Sequence, residues 1–144
     1  MQQTLCSSLT LPNDIETIPT LYQFIDECAE TVGLDSSLTM TLNLAIEEAV
    51  VNVMLYAYPE GTVGDVTIRF TATSEELEFV ITDKGTPFDP TQCQDADVTL
   101  SAEERPIGGL GIFLERQLMD AISYRRADGQ NILTMRKTLP NNPK

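Results

Sequence analysis

Apolar residues recur at helical spacing in two stretches of the N-terminal half. In the first, Ile18, Leu21, Tyr22, Ile25, Cys28, Ala29 and Val32 share one face, Asn13 or Asp14 can cap the start, and Gly33 is a natural stop. In the second, Leu42, Ala45, Ile46, Ala49, Val53 and Tyr56 form a stripe on a helix predicted from about Leu38 to about Tyr56, capped by Ser36 or Ser37 and ended by Pro59 and Gly61. Elsewhere the period drops to two. Residues 3–11 alternate loosely and read as a first strand, while "DVTIRFTA" (65–72) and "ELEFVITD" (76–83), joined by a polar turn at Thr73 to Glu75, read as an antiparallel hairpin. "AISYRRA" and "QNILTMRK" flank Asp128-Gly129, the strongest short hairpin signal in the chain. Four or five strands and three helices in mixed order make one α+β domain over residues 1–144, with a polar tail at 140–144 expected to be flexible.

The pattern breaks once. Residues 84–107 carry Pro, Asp, Thr and Glu with no apolar period, and a loop of that length is more often a lid or binding loop than a connector. It runs into "IGGLGIFLERQLMD", a glycine cluster opening directly into an amphipathic helix.

Composition narrows the chemistry. At 144 residues and 42% hydrophobic content the chain can bury a real core. Nine basic against 22 acidic residues leave a net charge of −13, which opposes binding to nucleic acid or to an anionic membrane. An anionic ligand would have to be met by a metal, a helix N-terminus or a few local Lys or Arg. The absence of histidine removes Ser-His and Cys-His nucleophile systems and HExxH metal sites. Three cysteines, Cys6, Cys28 and Cys93, are odd in number and lack CxxC spacing, so a reducing cytoplasm fits better than a disulfide framework. The start "MQQTLCSSLTLP" shows neither a signal peptide nor a span.

Three stretches carry candidate chemistry. On the second helix, Glu48 and Asn52 lie about 40° apart on one flank of the apolar stripe, while Glu47 points nearly opposite, toward solvent. A half-exposed i,i+4 hydrogen-bonded pair explains them, and so does a cleft in which a carboxylate and an amide face a cation or reacting group. In "ITDKGTPFDP" the strand ends in Asp83, which could form an ordinary Asx turn or accept from an exocyclic amine, with Gly85 letting a flat ring approach the backbone. "GGLG" at 108–111, just before a helix, suits phosphate binding through backbone N–H groups and the helix dipole. It is not the GxxxxGK[ST] or GxGxxG pattern.

Together, the E-x-x-x-N helix, the D-x-G strand end, the long loop and the GGLG helix start resemble the ATP-binding domain shared by gyrase, Hsp90, histidine kinases and MutL. Within that superfamily, "EEAVVNVMLYAYPEG", "ITDKGTPFDP" and "GGLGIFLERQLMD" are most similar to the small anti-sigma factor serine/threonine kinases, over roughly residues 10–138. The resemblance implies a two-layer α/β sandwich of the Bergerat type, with a mixed, mostly antiparallel sheet and helices on one face. It implies ATP and Mg²⁺ as cofactors, Glu48 as general base, Asn52 as the Mg²⁺ ligand, Asp83 as acceptor of the adenine amine with Gly85 beside it, and Gly108, Gly109, Leu110 and Gly111 as the phosphate box. It also matches 84–107 to a lid and Thr134, on the last strand, to a hydroxyl near adenine. Pro87, which the resemblance sets among the nucleotide-binding residues, stands where larger members have a second glycine. Lys84 and Arg105 are candidates for phosphate or partner contact, or simply solvated charges. The implied partners are a small anti-anti-sigma protein with a STAS-type domain and an RNA polymerase sigma factor, with homodimerisation and no direct contact to nucleic acid or membrane. A non-catalytic ATP-gated binding module of the same fold is the alternative, and an ATPase in which Glu48 activates water is a third reading.

Overall fold

The computed structural model describes residues 5–58, 61–87 and 119–139. Strand β1 (Leu5–Pro12) leads through a 3₁₀ turn (Ile15–Thr17) into helix α1 (Ile18–Val32). Asp14 is the cap of that turn, its side chain accepting from the Glu16 N–H at 2.9 Å, while Asn13 is turned away to bond Thr62 and Gly64. Gly33 ends α1 in the left-handed region at φ 85°, which lets its own N–H and that of Leu34 reach the Ala29 carbonyl.

Helix α2 (Ser36–Asn52) starts two residues earlier than the periodicity predicts. Its cap is Asp35 rather than Ser36 or Ser37, with the carboxylate accepting from Leu38 N–H at 2.7 Å. The helix also changes hydrogen-bond pattern near its end, continuing as a π-helical turn over Val53–Ala57. Leu42, Ala45, Ile46, Ala49 and Val53 are buried as the stripe requires, but so is Val50, and Tyr56 is only half-buried. The extra buried side arises because α2 packs against α1 as well as against the sheet. By length and composition alone Ser36–Ala57 could cross a membrane, yet these residues form one core cluster with α1 and the strands.

The remaining strands are β2 (Asp65–Ala72), β3 (Glu76–Asp83), β4 (Ala121–Ala127) and β5 (Gln130–Thr138), in sheet order β1-β2-β3-β5-β4. Every described pairing is antiparallel, so the parallel component of the expected mixed sheet is missing among the described residues. The α+β two-layer architecture is otherwise as the sequence implies. Asp128 and Gly129, at φ 54° and 75°, make the β4–β5 turn with the two positive φ values that a two-residue hairpin needs.

Side-chain parity sets one face of the sheet against the helices. Val66, Ile68, Phe70 and Ala72 of β2, and Leu77, Phe79 and Ile81 of β3, are all buried there. Phe70 and Phe79 are register partners with ring centroids 5.1 Å apart and tilted by 48°, a geometry that adds about 0.5–1.5 kcal/mol beyond area burial. The same parity carries Asp83 at the end of β3 and Asn131 at the start of β5 onto the core face, where they are register partners. The third helix expected after Gly108, the lid at 84–107 beyond Pro87, and the tail at 140–144 lie outside the described residues.

Candidate functional site

Alternation makes every second residue of β3 buried, and the last of these is a carboxylate. Asp83 is 2% exposed. Its Oδ1 accepts from the Gly85 N–H at 2.8 Å and from Asn131 Nδ2 at 2.9 Å, so both donors found among the described residues converge on one oxygen. The Asx turn anticipated at this position is therefore present, and it uses Oδ1, leaving Oδ2 without a donor among the described residues. Burial pushes the Asp83 carboxyl above its ordinary value, while the Asn131 amide, the Gly85 N–H and the Arg126 guanidinium pull it back down.

The three residues after Asp83 are fixed one by one. Lys84 N–H donates to the Tyr58 hydroxyl at 3.0 Å, and that hydroxyl donates on to the Asp65 carbonyl at 2.7 Å. The Gly85 carbonyl accepts from Arg126 Nη1 at 2.8 Å. Thr86 donates its N–H to the Ala57 carbonyl at 2.6 Å and its hydroxyl to the same oxygen at 3.0 Å, and its own carbonyl accepts from Asn131 Nδ2 at 2.7 Å. Gly85 is required for a reason other than ring approach: a Cβ there would stand 2.3 Å from the Ala57 oxygen and 2.7 Å from its carbon. Backbone, not ligand, fills the space that the missing side chain leaves.

On α2, Asn52 is 3% exposed and its Nδ2 is buried with no hydrogen-bond partner among the described residues. Because Nδ2 is the only side-chain donor of asparagine, the local Glu48–Asn52 pair is not formed, and the buried amide is left open to something else. Glu48 is half-buried, and desolvation, with a smaller contribution from the Glu47 charge, raises its carboxyl above the ordinary glutamate value. Glu47 departs from expectation. Rather than standing free in solvent it is half-buried and accepts a hydrogen bond from Tyr22 of α1, which pushes the Tyr22 hydroxyl up to about 12. α1 occupies the side that the wheel left to solvent.

Among the described residues no cluster of three or more His, Cys, Asp or Glu could hold a metal. The atom left open on Asn52 is an N–H donor, which does not ligate a cation, so metal binding there would need the amide Oδ1, and with Glu48 that is too small a donor set to hold a cation by itself. It suits Mg²⁺, which keeps most of its ligands as water and substrate phosphate oxygens.

A cavity of about 780 Å³ opens at the C-terminal end of β3, lined by Asp83, Gly85, Pro87, Lys84, Arg126 and the exposed rim at Thr62 to Asp65. It includes neither Glu48 nor Asn52. Lys84 and Pro87 are both exposed there.

Thr134 is misplaced as a base contact. It sits in register between Val80 and Ser123, at the opposite parity to Leu133 and Met135, and so belongs to the sheet face turned away from the helices and from Asp83. The β5 residue that meets Asp83 is Asn131, 3% exposed, whose Oδ1 also accepts from the Tyr124 hydroxyl at 2.5 Å. The sequence signal was there: Asn131 is a polar residue at a core-parity position of β5, just as Asp83 is in β3. Gly108, Gly109, Leu110, Gly111 and Arg105 lie outside the described residues.

Comparison with known proteins adds independent observations. The model of the histidine kinase-like ATPase domain matches residues 11–137. The serine/threonine-protein kinase BtrW of Bordetella bronchiseptica is 35% identical over 98 residues, 68% of this chain and 69% of the relative. The serine-protein kinase RsbW of Listeria monocytogenes is 29% identical over 130 residues, 88% of this chain and 83% of the relative. A protein of the same name from Bacillus cereus is 33% identical over 96 residues, 64% and 59% of the two chains.

Proposed function

The chain belongs to the histidine kinase-like ATPase domain family, and from that premise we propose that it is an ATP-dependent protein serine/threonine kinase acting as an anti-sigma factor. Its substrate is the serine or threonine hydroxyl of a small anti-anti-sigma protein with a STAS-type domain, in a switch that frees or sequesters an RNA polymerase sigma factor. It works in the cytoplasm as a homodimer. The observation that carries the reading is the buried Asp83, whose two donors among the described residues both occupy one carboxylate oxygen, so that the other suits an amine.

In this reading Asp83 Oδ2 accepts from the adenine amine, and the glycines at 108, 109 and 111, with Leu110, offer backbone N–H groups to the phosphates. Asn52 turns its amide oxygen to Mg²⁺, which when bound supplies positive charge that neutralises phosphate oxygens. Glu48 stands one helical turn before Asn52 and takes the proton of the incoming hydroxyl as its oxygen bonds to the γ-phosphorus and the bond to the β–γ bridging oxygen breaks, releasing ADP. The raised proton affinity of Glu48 suits a base. Phosphoryl transfer needs positioning and charge stabilisation more than covalent help, so few residues suffice.

The test is incubation of the pure protein with γ-labelled ATP and a candidate antagonist. Label should appear on the antagonist and vanish with Glu48→Gln while ATP binding persists. Binding of ATP without any transfer by the unaltered protein would leave the non-catalytic ATP-gated module as the better description.

A further inference from the structure

The last carbonyls of a helix have no intrahelical donor and must find one elsewhere. At the end of the α2 π turn, the Ala57 carbonyl finds two on one residue, the Thr86 N–H at 2.6 Å and the Thr86 hydroxyl at 3.0 Å. The next residue, Tyr58, accepts the Lys84 N–H through its hydroxyl at 3.0 Å. Gly85, between those two donors, has no Cβ, and one placed there would lie 2.3 Å from the Ala57 oxygen. Residues 84–86 thus form a seat shaped to a single helix end. The seat has a second side, since the Thr86 carbonyl accepts from the same Asn131 amide that donates to Asp83.

The π turn falls just where this attachment is made. The π turn over Val53–Ala57 follows directly on Asn52 and ends at the carbonyl held by Thr86. A π turn widens the helix by one residue and is a costly local departure, commonly found at functional sites. Here it swings Ala57 onto donors some thirty positions away in the chain, at a |i−j| of 29.

We propose that Thr86 is a positioning residue: by seating the Ala57 carbonyl it locks the helix carrying Glu48 and Asn52 in register with Asp83, so that base contacts and metal-phosphate contacts are made by one ligand at once. This inference rests on the nucleotide-site reading above. It concerns the coupling between the two halves of the site rather than either half alone. Loss of the hydroxyl leaves Asp83 with its own donors from Gly85 and Asn131, so the base half should survive. What should weaken is the benefit that Mg²⁺ adds once the base is anchored.

Thr86 is exposed, so its substitutions should fold. Calorimetric affinities for adenosine, for ATP with chelator and for ATP with Mg²⁺ are measured on the unaltered protein and on Thr86→Val and Thr86→Ser, with melting midpoints as a check on folding. Valine keeps the shape and the backbone N–H but removes the hydroxyl, while serine keeps the hydroxyl. The Mg²⁺-dependent gain in ATP affinity should fall about five-fold in Thr86→Val, the consequence of one lost hydrogen bond, and stay within about two-fold in Thr86→Ser. Adenosine affinity should hold in both. An undiminished Mg²⁺ gain in Thr86→Val overturns the proposal, as does an equal loss in Thr86→Ser or a parallel fall in adenosine affinity. Should Thr86→Val melt below the assay temperature, Thr86→Ala is read against Thr86→Ser in the same way. If the unaltered protein itself binds no MgATP, the nucleotide-site reading fails and the role of Thr86 falls with it. If it binds and responds to Mg²⁺ while Thr86→Val is indistinguishable from it, only the positioning role fails.

Discussion

Asn131 Nδ2 donates to Asp83 Oδ1 at 2.9 Å across a β5–β3 register pair whose two side chains are both buried. The same amide donates to the Thr86 carbonyl at 2.7 Å and accepts from the Tyr124 hydroxyl at 2.5 Å, so a single asparagine satisfies a carboxylate, a carbonyl and a phenol. Those partners also fix the amide's orientation, because a flipped carboxamide would turn its oxygen onto two acceptors.

Truncating that residue should therefore cost more than one hydrogen bond. Asn131→Ala removes the donor serving the Thr86 carbonyl and one of the two on Asp83 Oδ1. The expected destabilisation is about 1–3 kcal/mol, the usual penalty for stranding a buried polar group, read as a lower denaturant midpoint at unchanged slope. ATP affinity should fall as well. A variant as stable as the original would mean that water replaces the amide without loss.

The pH dependence of Asp83 has a definite sign. Burial is the largest influence on it and raises its carboxyl above 3.8, so the folded state holds its proton more tightly than the unfolded chain. The burden of this carboxylate is absent below 3.8 and is fully felt once pH has risen past the raised folded value. Asp83→Asn keeps an oxygen for Gly85 and Asn131 but carries no charge. Its stability relative to the original should climb as pH rises from 3 through 6, while its ATP affinity is lost. Melting midpoints across that range check the first part and calorimetry the second, and a relative stability that falls with pH would reverse the assignment of burial as the dominant cause.

Gly85→Ala tests the close approach directly. The new methyl would be placed 2.3 Å from the Ala57 oxygen, 2.7 Å from its carbonyl carbon and 2.9 Å from its Cβ, none of which can swing away as the tip of a long side chain can. A loss of about 1–3 kcal/mol is expected from the forced shift, with a fall in the thermal midpoint. Gly61→Ala is a useful comparison because a Cβ there meets nothing within 4 Å and its strain comes from φ 85° alone. Equal effects at the two positions would mean that the Ala57 contact relaxes freely.

How much of this was legible in sequence depended on whether the deciding contact was local. The β2–β3 and β4–β5 hairpins were readable because alternation and the Asp128-Gly129 turn are encoded within a few residues. Asp83 stood out as a carboxylate closing a strand. Asn131 did not, although the alternation of β5 places it on the core face, because its importance comes from a partner at |i−j| of 48. Thr134 was attractive as a hydroxyl on the last strand, but it is three residues from Asn131 and so falls on the opposite face. The π turn was invisible for the same reason as Asn131: its attachment at Thr86 is distant in the chain. Asp35 displaced the two serines as the α2 cap, and an aspartate one position ahead of a Ser-Ser pair is a choice that spacing alone does not settle.

The two adjacent glutamates of α2 should separate in a pH-rate profile. Desolvation chiefly raises the Glu48 carboxyl, and the negative charge on Glu47 raises it further, because a second carboxylate nearby makes ionisation harder. If Glu48 is the base, it must be ionised to accept the hydroxyl proton, so the acid limb of kcat/KM should lie above the ordinary glutamate value of 4.5. Glu47→Gln removes the repulsion and leaves a side chain that can still accept from Tyr22. Glu48 then ionises more readily, and the limb should move to lower pH with the plateau rate nearly unchanged. Glu48→Gln should instead abolish the plateau, by about 10²–10⁴-fold, as expected for loss of a general base. A limb that stays in place in Glu47→Gln, or moves upward, would show that the group titrating in the profile is not Glu48.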